Sequence, residues 1–318
     1  MIKRRFLHNQ FLFSIGERLN LLNESVENTV IVSGVPRSGT TWLSEMIAEE
    51  PGYKLLSEPL FLRGAGERGE IGLEWRTHIE PNENDEDVEG WLRRALSGRI
   101  PGDYVLTSRS LPGRAIEFFL NQKNVVKFVR ASRMLGWIDN TFDVRGIILL
   151  LRHPCAVVAS QIHYDEDWKN SSPPDTDNLR RGYGGYLPDS FLNSCRDALS
   201  EIETREEYLA AMWSIDNIFG IRESDRANVL TTHYEDIVVD ESSELKRIFD
   251  FLGFEDSTVR KIDPGKPSKT KSKTLTNDKQ DQLSKWREFF TDEQVDRILS
   301  TVRSFGLNIY SRDVLPNR

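Results

Sequence analysis

Arg37, Ser38, Thr40 and Thr41 crowd one short segment, VSGVPRSGTTWL (Val32–Leu43), together with Gly34, Gly39 and Trp42. The β-branched, apolar run Thr29–Ser33 reads as a strand that turns through the glycines into a helix from Thr40 to Glu50. Backbone N–H groups at such a turn have no helical acceptor, and the helix dipole adds partial positive charge. Phosphate or sulfate is the natural guest. The glycines let the backbone approach an anion closely, and Ser38, Thr40 and Thr41 can add hydroxyl donors. Gly34 to Gly39 has the G-x-x-x-x-G spacing of a Walker loop, but Thr40 stands where the lysine belongs. The missing lysine disfavours a magnesium-bound nucleoside triphosphate, and Arg37 can supply the charge instead.

A second anion site is written in LLRHPCAVVAS (Leu150–Ser160). Arg152, at a strand end, can fork a phosphate with two parallel hydrogen bonds. Ser160 lies on the helix that starts near Pro154 and can donate its hydroxyl. With Arg37 and Arg152 in this order and 115 residues apart, the pair resembles the donor site of sulfotransferases that use 3′-phosphoadenosine 5′-phosphosulfate (PAPS). PRSGTTWLSEMI is similar to their 5′-phosphosulfate loop, with Arg37 in place of the lysine of the cytosolic members. Protein-tyrosine and Golgi carbohydrate sulfotransferases carry arginine there. The resemblance implies a 5′-site of Arg37, Ser38, Gly39, Thr40 and Thr41 and a 3′-phosphate site of Arg152 and Ser160. It further implies that Trp42 stacks on adenine and that Tyr234, in THYEDIVV, contacts the adenine region. The Lys-rich stretch Lys266–Lys279, ahead of Trp286 and Arg287, resembles the loop that grips the 3′-phosphate. It lacks the R-K-G triplet of the cytosolic enzymes. Among Ser268, Lys269, Lys271, Ser272 and Lys273, the candidates are Ser272 and Lys273. The resemblance spans residues 28–305, with its diagnostic parts in the two short motifs.

Sulfuryl transfer needs positioned partners and stabilisation of spreading negative charge. Arg37, always protonated, suits the leaving phosphate and the sulfonate as a charge stabiliser. Lys127, in VVKFVR, is a charge inside an apolar strand, which is costly unless paired. It is the second catalytic candidate, and Arg130 is a weaker one. The acceptor hydroxyl needs a base, and Glu58 in SEPLF is the choice. It lies 21 residues after Arg37, at the end of the strand Tyr53–Leu56, where a parallel sheet presents its site. The resemblance points the same way, because tyrosine and carbohydrate sulfotransferases have their catalytic glutamate in this position. His78 and His163 are alternative bases. The catalytic histidine of a K-T-H motif has no counterpart, since Thr107–Leu111 reads TSRSL.

These residues require a scaffold of parallel strands. Asn124–Val129, Arg145–Leu151 and Arg226–Thr232 read as further strands, and helical patterns run over Ala156–Gln161, Glu206–Ile221 and Ser243–Leu252. Strands alternating with helices predict an α/β fold, a single domain with a central parallel β-sheet flanked by helices in a P-loop-like arrangement. Residues 28–318 form that domain, and residues 1–27 an N-terminal arm. Leu7, Phe11, Ile15, Leu19 and Leu22 recur in the arm at helical spacing, predicting an amphipathic helix packed on the domain. Glu80–Glu89, with its acidic residues, reads as a solvated loop. Asp165–Ser190, with Trp168, Tyr183 and Tyr186 among prolines and glycines, is long enough to cover a substrate.

The chain has 318 residues, 42 Lys+Arg against 50 Asp+Glu and a net charge of −8, which argues against bulk nucleic-acid binding. Cys155 and Cys195 form neither a disulfide framework nor a metal-spaced cluster, and five scattered histidines show no zinc spacing, so no metal is expected. The longest apolar run, Ile147–Leu151, is far short of the ~18 residues of a membrane span. The expectation is a cytoplasmic PAPS-dependent sulfotransferase whose acceptor is a hydroxyl of a glycan, other carbohydrate or polar small molecule. A homodimer is compatible with it. A P-loop kinase and a non-catalytic nucleotide- or glycan-binding module stand as alternatives.

Overall fold

The computed structural model describes residues 11–16, 25–61, 71–73, 76–100, 103–105, 111–164, 187–254 and 279–317. Its strands are β1 (Val30–Ser33), β2 (Tyr53–Ser57), β3 (Asp103–Val105), β4 (Lys123–Phe128), β5 (Gly146–Leu151) and β6 (Val229–His233). They form one sheet in the order β3-β2-β4-β1-β5-β6. Every neighbouring pair is parallel except β2 with β3. The expected parallel sheet therefore holds for five strands, and the edge carries a short antiparallel sixth. Three residues, Asp103–Val105, are too few to show a strand period in the sequence.

The helices follow in chain order. Between β1 and β4 lie α1 (Thr40–Ile47), α2 (Glu86–Leu96) and α3 (Leu111–Leu120). Next come α4 (Leu135–Thr141), α5 (Pro154–Tyr164), α6 (Asp189–Ser194), α7 (Arg196–Ser200) and α8 (Arg205–Arg222). After β6 come α9 (Tyr234–Val239), α10 (Glu241–Phe251), α11 (Lys279–Ser284), α12 (Trp286–Phe289) and α13 (Asp292–Ser304).

The run GIILLL of β5 is buried throughout because both faces of the sheet are covered. Ile148 and Leu150 join Val30, Val32 and Leu55 beneath Leu43, Ile47, Leu245, Ile248 and Phe249 of α1 and α10. Ile147, Leu149 and Leu151 point the other way, with Ile31, Leu56 and Phe128, toward Trp91, Leu92, Trp137 and Ile138 of α2 and α4. A third cluster, including Val157, Trp213 and Ile298, joins α5, α8 and α13. Burying each such side chain contributes about 1.5–3 kcal/mol.

Two segments differ from their sequence reading. The acidic stretch Glu80–Glu89 is not all loop, because Glu86 opens α2 and Asp85 caps it by accepting the Val88 N–H at 3.0 Å. Acidic residues in a first turn complement the helix dipole, so their density marks a helix start. In the arm, residues 11–16 are helical, but Leu12 and Phe13 enter the core while Phe11 is 62% exposed. Leu7, Leu19 and Leu22 lie outside the described residues.

The register fixes where the site forms. Ser33 pairs with Phe128 and Leu149, Ser57 with Lys127, and Leu151 with His233. β1, β2 and β4 therefore end within one residue of each other, β5 and β6 run two residues further, and the residues that follow all five emerge on one edge. The chain leaves β1 for β2 on one flank, while β5 sits on the other, which makes the end of β1 a topological switch point.

Candidate active site

The loop after β1 is held by strained backbone. Arg37 adopts φ +77°, a left-handed conformation that a non-glycine residue occupies at a cost of about 1–3 kcal/mol. Gly39 has φ +101°, and a Cβ added there would stand 2.7 Å from Tyr234 Cδ2. A Cβ on Gly34 would meet the Leu150 carbonyl at 2.5 Å. α1 starts at Thr40 with Gly39 at its N-cap and no side-chain cap bond, the arrangement in which first-turn amides suit an anion. Ser38 points its side chain inward. It is fully buried, and its N–H and hydroxyl both bond the Val35 carbonyl, at 3.1 and 2.8 Å. Ser38 braces the loop from inside. Gly39→Ala is expected to weaken anion binding and destabilise the fold by about 1–3 kcal/mol, since it combines φ strain with a clash against Tyr234. Thermal unfolding and nucleotide titration of the variant check this, and wild-type values in both would contradict it.

Glu58 closes the neighbouring strand end. It too is left-handed, at φ +52°, and its N–H continues the ladder to the Lys127 carbonyl at 2.9 Å. One carboxylate oxygen pairs with Lys127 Nζ at 3.1 Å, and the other with Arg130 Nη1 at 3.3 Å and the Val129 N–H at 3.2 Å. Lys127 Nζ also donates to Thr41 Oγ1 at 3.1 Å. The lysine set in an apolar strand thus bridges the anion loop and the carboxylate. Thr40 is buried at the start of the same helix, with Thr41 half-buried.

The end of β5 carries Arg152 and leads to Ser160, the residues expected at the second site. Arg152 Nη1 donates to the Arg37 carbonyl at 3.0 Å, and Arg37 Nε donates to Ser160 Oγ at 3.0 Å. The two expected phosphate sites therefore touch. The Arg152 guanidinium lies over the Tyr234 ring, 4.3 Å from its centroid, in a cation–π contact. Trp42 meets the same ring edge-on at 5.7 Å, and the Gln282 amide donates to the Tyr234 hydroxyl at 2.6 Å. Gln282 carries no sequence signal, because its meaning depends on a fold contact across 48 residues. Arg37, Lys127, Arg130 and Arg152 lie at these adjoining strand ends, and Lys127 and Arg130 both pair with Glu58, in a chain of net charge −8. That local excess fits an anionic ligand.

The alternative bases fare differently. Both ring nitrogens of His78 are engaged within the protein, by the Arg133 carbonyl at 2.9 Å and Glu80 Oε1 at 3.0 Å. His163 is exposed near the far end of α5. The buried His153 donates through Nε2 to the Ser311 carbonyl and accepts the Cys155 N–H at Nδ1. Burial pushes its imidazole down to about 4, against the raising effect of the Ser311 bond, so it is neutral near pH 7. The folded state then binds fewer protons than an unfolded chain titrating at 6.5. Its stabilising contribution is full above pH 6.5 and falls as pH drops toward 4, by at most about 3 kcal/mol. Urea unfolding at pH 7.5 and 4.5 should show a smaller fall for His153→Gln than for the wild type. Equal falls would contradict it.

Ser272 and Lys273, with the rest of Ser268–Lys273, lie outside the described residues, as do Trp168, Tyr183, Tyr186 and Thr107–Ser110. Among the described residues no group of three or more His, Cys, Asp or Glu is placed to hold a metal. No described helix is long and apolar enough to cross a membrane.

The family model of the sulfotransferase domain matches residues 27–304. No curated protein matches the chain. Among solved structures, it is similar to the sulfotransferase domain of the Synechococcus PCC 7002 olefin synthase, at 18% identity and TM-score 0.47, over 89% of this chain and 95% of that one. A mouse sulfotransferase complexed with PAP is 18% identical over 88% of this chain and 83% of that one, with TM-score 0.46. A sulfotransferase from Alicyclobacillus acidocaldarius is 14% identical over 86% and 95%, with TM-score 0.37. The extent of the family match leads to one conclusion: this chain belongs to the sulfotransferase domain family.

Proposed function

We propose that the protein transfers the sulfuryl group of PAPS to an acceptor hydroxyl by in-line displacement, with Glu58 as the base. The observation that carries this reading is the convergence of Arg37, Lys127 and Glu58 at the uncapped start of α1, with Arg152 bonded to Arg37. The 5′-phosphosulfate would lie against the amides of Gly39, Thr40 and Thr41, and the 3′-phosphate between Arg152 and Ser160. Trp42 is partly exposed and would stack on adenine, with the buried Tyr234 beside it. Gly34 and Gly39 let the loop take this shape, because a Cβ at either would collide with Leu150 or Tyr234.

In the transfer, the acceptor hydroxyl gives its proton to Glu58 as its oxygen bonds sulfur. The bond from sulfur to the bridging phosphate oxygen breaks, and its electron pair leaves with 3′-phosphoadenosine 5′-phosphate. Arg37 and Lys127 offset the negative charge growing on that oxygen. Lys127 also holds Glu58 in line with the loop, so one side chain ties base to donor. The acceptor is proposed to be a carbohydrate or other polar hydroxyl compound, a reading that rests on Arg37 in place of lysine and on the Glu58-Pro59 pair. Incubation with 35S-labelled PAPS and a panel of glycans, polar alcohols and phenols tests this. Label transferred to a polar hydroxyl supports it, and transfer only to phenols would overturn the acceptor assignment.

A further inference from the structure

Glu235 is a buried acid that the proposed transfer does not use. It follows Tyr234 at the start of α9 and is 1% exposed. Both its oxygens are engaged: Oε1 accepts the His153 N–H at 2.9 Å, and Oε2 accepts the Tyr310 hydroxyl at 3.0 Å. Burying a carboxylate against two neutral donors is costly, and burial raises the Glu235 carboxyl while the His153 N–H and the Arg152 charge lower it. An apolar side chain would fill the same volume without that penalty.

What Glu235 holds is the peptide joining Arg152 to His153. Trp213 Nε1 holds the carbonyl side of that peptide, donating to the Arg152 oxygen at 3.1 Å, and Glu235 holds the N–H side. The adjacent Tyr234 ring supports the guanidinium of the same arginine. Two consecutive residues of α9 therefore fix Arg152 from both ends, one through its main chain and one through its side chain. Tyr310 links this arrangement to the segment after α13, where the Ser311 carbonyl accepts from His153, and Trp286 of α12 stacks on the imidazole at 4.6 Å.

We infer that Glu235, braced by Tyr310, is a positioning residue that aims Arg152 at the 3′-phosphate and so sets the preference for a 3′-phosphorylated donor. The inference rests on the donor site proposed above. Its test is the ratio of dissociation constants of adenosine 5′-phosphate and 3′-phosphoadenosine 5′-phosphate, measured by calorimetry. That ratio isolates the 3′-phosphate, which a merely structural loss would not single out.

Glu235→Gln, whose amide can accept from only one of the two donors through its oxygen, should lower the ratio about tenfold. Tyr310→Phe removes one anchor without leaving a cavity, and should lower it about threefold. If both variants fold, shown by cooperative thermal unfolding, and keep the wild-type ratio, Glu235 has no positioning role. Equal weakening of both nucleotides would also overturn the inference, because it would mean a general loss of structure. Should Glu235→Gln fail to fold, Tyr310→Phe alone decides by the same ratio. A ratio near one in the wild-type protein would instead refute the donor site itself.

Discussion

Glu58→Gln is expected to lower turnover by about 10²–10⁴-fold, the range for loss of a positioned general base. Affinity for 3′-phosphoadenosine 5′-phosphate should stay within about threefold, because the amide oxygen of the variant side chain can still accept from Lys127, a bond of modest net worth. The left-handed backbone at this position is equally strained with either side chain, so the comparison isolates the carboxylate. Steady-state kinetics and calorimetry on one preparation separate the two effects. Unchanged turnover would remove Glu58 as the base and leave it as the anchor of Lys127 and Arg130.

The second large effect is expected at Arg37. Arg37→Ala should cut kcat/KM by about 10²–10³-fold, as for losing a preorganised donor to developing charge. Alanine at φ +77° carries the same backbone strain as arginine, so a loss of this size reports on the guanidinium. Arg37→Lys should recover part of the loss, since a lysine keeps the point charge and loses the planar fork that reaches Ser160. Kinetics of the two variants side by side provide the check. Equal losses for Ala and Lys would mean that the loop needs the Arg37–Ser160 contact more than the charge.

Much of the site is legible in the chain because its chemistry is local. Gly34, Arg37, Gly39 and Thr41 lie within one turn, so strand, loop and helix start are all visible in twelve residues. Arg152 and Ser160 are similarly local. Pairings between strands are less visible. Lys127 stands out as a charge in an apolar run, but its reach to both Thr41 and Glu58 follows from β4 lying between β1 and β2. Arg130, the weaker candidate by sequence, holds the same carboxylate. Ser38 is by residue type an outward hydroxyl donor, yet the tight loop turns it inward on Val35. Gln282 and Glu235 are ordinary polar residues until the fold sets them against Tyr234 and His153. The acidic start of α2 is hidden by its own charge, although Val88, Trp91, Leu92 and Ala95 carry a helical period behind it.

The central claim is that two anion sites, one on the β1 loop and one at Arg152, bind a single adenine nucleotide. Calorimetric titration with 3′-phosphoadenosine 5′-phosphate, beside ADP and ATP with magnesium, tests it most directly. The predicted result is tight binding of the bisphosphate that EDTA does not change, with ADP at least about tenfold weaker for want of the 3′-phosphate contact. Preference for ATP with magnesium would contradict it and return the loop to the class of nucleotide kinases.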